Sequence, residues 1–167
     1  MSSVAAATDH AIAKLHAGAD FRVLFSAHGL PKKIVDGGDP YAHQVERTAA
    51  AVLFRMIDPN VDHIVCYQSR VGPLEWLQPY TEDEIKRAGG EGKALIVVPV
   101  AFVSEHSETL VELDIEYREL AHECGVPNYV RAPAVNHVPA FIEGLAALVR
   151  TAPDISRMLD GVGGGVD

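Results

Sequence analysis

The chain has 167 residues, 48% of them hydrophobic and 22% charged, a composition that fits one soluble globular domain and excludes disordered and fibrous classes. Its formal net charge of −9 excludes nucleic acid as the main partner, because a phosphate backbone needs clustered Lys and Arg; cations, or ligands with cationic parts, suit it better. Two cysteines, Cys66 and Cys124, are too few for a disulfide framework or a four-thiolate centre and point to a reducing, intracellular compartment.

Residues 4–17 read as a helix, without the basic start and apolar block of a signal peptide. An apolar run over 22–27 (RVLFSA) predicts the first buried strand. It ends at His28, with Gly29 next and Pro31 two residues further on. An imidazole here neither continues the apolar run nor belongs to the usual turn formers. The plainer reading is a packed side chain. Its place at the carboxyl end of a strand, where open α/β sheets bind ligands, favours a proton acceptor near neutral pH or a transition-metal ligand.

A helix over 40–57 and a strand over 63–67 (HIVCY) follow. The next loop, QSRVGPLEWLQP (68–79), carries Ser69, Arg70 and Trp76. A guanidinium and an indole in one loop bind a carboxylate and stack on a flat ring, and a surface loop pinned by a half-buried tryptophan fits equally well. Beyond a helix over 81–89 lies a strand over 94–102 (ALIVVPVAF). The uncharged stretch Ala94 to Ser104 falls short of the ~20 residues of a membrane span, so we expect a cytoplasmic protein with room for peripheral membrane contact.

The segment 105–124 reads as a helix. Wound at about 100° per residue, Glu105, Glu108, Glu112, Glu116, Glu119 and Glu123 share an arc of roughly 80°, opposite Leu110, Leu113, Tyr117, Leu120 and Cys124. Seven acidic residues face one arginine between Ser104 and Glu123. A solvated face is the plain interpretation. Yet like charges four apart repel by roughly 0.2–0.5 kcal/mol per pair, and such a row suits protons in transit or a hydrated divalent metal. His106 and Glu108 would share the strand-end cleft with His28 and the aromatic Phe102. A strand over 129–132, a helix over 137–150 and a flexible Gly-rich tail over 154–167 complete the chain. Strand and helix alternate and the strands are continuously apolar, which predicts one domain over 1–153. Its fold class is α/β, a doubly wound, mostly parallel four-stranded sheet flanked by helices.

LFSAHGLP (24–31), GDPY (38–41), YQSRVGPLEWLQP (67–79), VPVAFVSEHSETLVELDIEY (98–117) and YVRAPAVNHVPAFIEGL (129–145) resemble, in order and spacing, the C-terminal half of ferrochelatase. The resemblance implies insertion of Fe²⁺ into a porphyrin, protoporphyrin IX or coproporphyrin III, with loss of two protons in haem biosynthesis. It implies that His28 and Glu108 flank the macrocycle as catalytic and metal-binding residues, with metal delivery and proton acceptance open between them. Glu112 and Glu116 match the family's acidic row, a metal or proton path, and Phe102, His106 and Trp76 match positions lining the site; Ser69 and Arg70 join them as substrate-binding candidates. Fe²⁺ and porphyrin are substrates, no prosthetic group is implied, and the cysteine-free tail predicts no [2Fe–2S] cluster. Ferrochelatases are about twice this long, so the resemblance implies a partner for this chain, either a missing N-terminal half or a second copy. The competing readings are a non-catalytic half-domain that binds porphyrin or metal weakly and, less in keeping with the motifs, a cobalt or nickel chelatase of another tetrapyrrole.

Overall fold

The computed structural model describes residues 1–152; the tail expected over 154–167 lies outside them. In chain order the elements are α1 (Ser2–Ile12), β1 (Phe21–His28), α2 (Lys32–Asp36), α3 (Tyr41–Leu53), β2 (His63–Gln68), α4 (Thr81–Glu91), β3 (Ala94–Pro99), a π-helix (Glu108–Glu116), α5 (Tyr117–Glu123), β4 (Tyr129–Arg131) and α6 (Pro139–Thr151). Residues Met1–Asn136 form one compact unit, and a second begins at His137.

All four strands pair in parallel, in the order β2-β1-β3-β4. Val23, Phe25 and Ala27 of β1 and Ile96 and Val98 of β3 join the core that α1 and α3 cover with Ala5, Ala11, Val45, Ala49 and Val52. Leu24, Leu95 and Val97 point to the other face, against Ile85, Ala88, Leu113, Tyr117 and Ala121. Successive strand side chains alternate between faces, and helices cover both, so each strand is apolar on both sides. That is why these segments read as unbroken hydrophobic runs.

The chain leaves β1 towards β2 on one side and reaches β3 on the other. The strand order therefore reverses at β1, and the loops leaving the carboxyl ends of β1 and β3 diverge there into a crevice, the place where doubly wound sheets bind ligands. His28 is the last residue of β1, and the segment 100–107 that follows β3 leads into the π-helix.

The single α-helix expected over 105–124 is corrected in two respects. Glu105 and His106 precede the helix, and residues 108–116 wind as a π-helix before α5 begins. The cause is pull from other elements. Glu105 is held by Arg131, and the Glu108 carbonyl in the first turn accepts a 3.0 Å hydrogen bond from the Gln68 side chain. The wider i→i+5 turn, a rare form frequent at functional sites, replaces the uniform 100° stripe. In the second unit, α6 starts with Pro139 in its first turn and leaves Ile142, Leu145, Leu148 and Val149 exposed.

Candidate active site

The site is built on the last residue of β1. Gly29 turns the chain there because the backbone passes against its neighbours: a Cβ at this position would lie 2.9 Å from the Gln68 carbonyl oxygen and 3.1 Å from the Trp76 ring. Gly29 N–H donates to that carbonyl at 2.8 Å. Tyr41, from GDPY, donates its hydroxyl to the His28 carbonyl at 2.9 Å. Burial, with a smaller contribution from the Glu108 charge, raises the pKa of that hydroxyl and keeps it a donor.

His28 Nδ1 lies 2.7 Å from the Gly29 carbonyl oxygen. A carbonyl only accepts, so Nδ1 carries the proton and a neutral His28 presents a lone pair on Nε2. That atom stands 3.5 Å from Glu108 Oε1, with the two side chains 40% and 39% exposed. The separation exceeds an ordinary hydrogen bond. It matches the ~3.4 Å between two ligand atoms that are each about 2.1 Å from one tetrahedral divalent ion. Two lone-pair donors facing one another at this distance invite a proton or a metal cation between them.

Glu108 is aimed by its own backbone. Its N–H donates to His106 Nδ1 at 3.2 Å, while the His106 N–H donates to Thr109 Oγ1 at 3.0 Å. The His106 ring packs on Phe102, centroids 5.3 Å apart and planes at 54°. Phe102, His106, Glu108 and His28 are thus one connected group.

The remaining candidates are placed differently. Arg70 is paired with Glu82 at 3.0 Å and stacked 4.1 Å from the Tyr80 ring centroid, so its charge is already matched within the loop and α4. Trp76 is buried, donates its indole N–H to the Val71 carbonyl at 3.1 Å and packs on Gly29, fastening the 69–79 loop to the exit of β1. Glu116 is exposed at the last turn of the π-helix. Glu112 is not free. Its Oε1 accepts from Ser69 N–H at 2.8 Å and from the Tyr117 hydroxyl at 2.9 Å; its Oε2 accepts from Gln68 Nε2 at 3.0 Å and from the Ser69 hydroxyl.

Sequence reasoning missed the polar network beneath these groups. The buried Ser26 hydroxyl donates to Gln68 Oε1 at 2.9 Å and contacts Thr81 Oγ1 at 2.9 Å. This turns Gln68 Nε2 towards both the Glu108 carbonyl and Glu112. Tyr117, which helical periodicity put on the apolar face, is buried and donates to Glu112; burial, reinforced by the Glu112 charge, drives its pKa far above the ordinary tyrosine range. The one sequence signal was a glutamine closing an apolar strand, where an unpaired amide is costly to bury. Two loops flanking the site hold non-glycine residues at positive φ, Ser69 at 62° and Ala101 at 64°, a conformation retained only where the surroundings enforce it.

Comparison with known proteins agrees with the motifs. The family model described as Ferrochelatase matches residues 1–152. A ferrochelatase of Caulobacter vibrioides is 59% identical over 131 residues, covering 78% of this chain and 38% of the relative. One of Phenylobacterium zucineum is 58% identical over 137 residues, with 82% and 40% covered, and one of Nostoc punctiforme is 54% identical over 132 residues, with 78% and 34% covered. The chain therefore spans between a third and two fifths of the length of these relatives.

Proposed function

Because the chain belongs to the ferrochelatase family, we propose that it carries the metal-handling wall of an enzyme that inserts Fe²⁺ into a porphyrin. The observation that carries the reading is the His28–Glu108 pair, 3.5 Å apart at the point where the strand order reverses. In the reaction a free-base porphyrin gives up two N–H protons and takes up one Fe²⁺, so charge balances when both protons leave. The two side chains suit these tasks. The Nε2 lone pair of neutral His28 accepts the two pyrrole protons in turn and releases each to solvent from its 40% exposed ring, the charge of each transient imidazolium being offset by Glu108. The same two atoms also offer a divalent cation a two-point contact. Exposed Glu116, at the other end of the π-helix that Glu108 begins, adds negative charge that attracts cations to this element.

Phe102 and His106 form an apolar and aromatic edge on which a flat ring rests. The opposing wall comes from the part of the relatives that this chain does not span, or from a second copy of the chain. Sedimentation of the chain with and without porphyrin separates these two sources.

The test is Zn²⁺ or Fe²⁺ insertion into protoporphyrin and coproporphyrin, followed by the visible absorption change. His28→Ala and Glu108→Gln are each expected to lower the rate by about 10²-fold or more, with the far-UV circular dichroism of the parent chain. Unchanged turnover in a variant removes that residue from the chemistry. Parent-chain turnover no faster than the uncatalysed reaction makes this chain a non-catalytic half that needs its complement.

A further inference from the structure

We infer that Glu112 is a positioning residue, which locks the 69–79 loop to the π-helix and thereby sets Glu108 against His28, and that it is not a ligand of the cation. The inference rests on the proposed metal-handling role of the His28–Glu108 pair. A carboxylate has about four lone-pair directions, and four donors occupy them at Glu112: Ser69 N–H, the Ser69 hydroxyl, Gln68 Nε2 and the Tyr117 hydroxyl. A cation bound directly at Glu112 would have to displace at least one of them. The donors it would displace are themselves buried or strained. Gln68 is 2% exposed and Tyr117 5%, and Ser69 holds a φ of 62° that its N–H bond to the carboxylate helps to enforce.

The lock reaches the reactive pair through one side chain. Gln68 Nε2 donates to Glu112 Oε2 and to the Glu108 carbonyl, both at 3.0 Å, while its Oε1 is held by Ser26 of β1. β1, which ends in His28, is therefore tied through Ser26 and Gln68 to the first turn of the π-helix, which begins with Glu108. Loss of the Glu112 carboxylate leaves Gln68 Nε2 and Ser69 N–H short of an acceptor, and the turn carrying Glu108 loses its anchor. Glu116, one turn on and exposed, has no such duties.

The full chain is studied as Glu112→Gln, Ser69→Ala, Glu116→Gln and Glu108→Gln variants. Zn²⁺ binding is measured by calorimetry, and the Ser69 amide and His28 ring signals by ¹⁵N NMR. Glu112→Gln and Ser69→Ala are expected to shift the His28 ring signals in the same direction and to weaken Zn²⁺ by a similar factor, about two- to threefold, through the displaced Glu108. Glu108→Gln is expected to weaken Zn²⁺ about tenfold or more. Glu112→Gln weakening Zn²⁺ as much as Glu108→Gln, with the Ser69 and His28 signals unmoved, makes Glu112 a ligand and overturns the inference. Unmoved signals with unchanged affinity overturn it also. Ser69→Ala removes one of the four donors without touching a carboxylate, and a shift of the His28 signals in the same direction decides the matter if Glu112→Gln does not fold. A parent chain that binds no Zn²⁺ at millimolar concentration refutes the metal reading of the pair, whereas the positioning role then stands or falls on the Ser69 and His28 signals alone.

Discussion

A methyl group added at Gly29 meets two groups that cannot give way together. The Gln68 carbonyl, 2.9 Å from the new Cβ, belongs to the end of β2, and the Trp76 ring, 3.1 Å away, is buried under the same turn. Gly29→Ala is therefore expected to lower stability by about 1–3 kcal/mol, the usual range for overpacking, and to change the emission of Trp76, the single tryptophan of the chain. Urea unfolding followed by that emission checks both; a midpoint equal to the parent's would show that the turn relaxes freely. At this scale His28 was legible in the sequence, because an imidazole closing an apolar run stands out by type. Gln68 gave only the signal of a polar residue closing an apolar strand, and Tyr117 gave none. Their roles come from which acceptors the fold brings to about 3 Å, and residue types along the chain do not say which those are.

The acidic segment shows where periodicity stops being informative. Read at one fixed angle per residue, Glu105 to Glu123 make one stripe, but whether a turn closes i→i+4 or i→i+5 is decided here by side chains from outside the segment. The Arg131 guanidinium, with its side chain only 9% exposed, bonds Glu105 at 2.9 Å before the π-helix and Asp114 at 3.0 Å within it. Glu105 also accepts the Ala134 N–H at 3.0 Å. Burial alone would raise the Asp114 pKa; hydrogen bonds from Arg118 and Arg131 outweigh it and hold the carboxyl below its ordinary value. Arg131→Ala strands two partly buried carboxylates and is expected to destabilise the chain by about 3 kcal/mol, in the range for breaking a buried ion pair from one side. A loss under about 1 kcal/mol in urea unfolding would show that water reaches Glu105 and Asp114 once the arginine is gone.

For the molecule as a whole, alternating apolar runs and helical patterns made the parallel sheet legible, whereas the order β2-β1-β3-β4 was not. All four runs are apolar enough to be central, and only the crossovers decide which strand lies beside which. That order puts the amino ends of β1, β2 and β3 together, and a cluster of charges holds them. Arg22 of β1 reaches Asp62 and Glu91, each at 2.9 Å, and Lys93 reaches Asp62 at 2.8 Å and Asp20 at 3.3 Å. The hydrogen bond from Arg22, opposed by partial burial and aided by Lys93, lowers the Asp62 pKa to about 2. An unfolded aspartate titrates near ~3.9, so between about pH 4 and 2 the unfolded chain binds a proton at this position that the folded chain refuses. The contribution of Asp62 to stability is thus fully present above about pH 5 and is lost progressively as the pH falls through 4 towards 2. Because the Asp62 side chain is 36% exposed, solvent and salt screen the pair and hold its worth to about 1 kcal/mol or less. Asp62→Asn should therefore lower Tm slightly at pH 7 and flatten the fall of Tm between pH 4 and 2, and 0.5 M salt should bring variant and parent closer together. Parallel Tm curves for the two proteins across that window would place the acid sensitivity of the fold elsewhere, with Glu105 and Asp114, whose pKa values are also lowered, as the next carboxylates to replace.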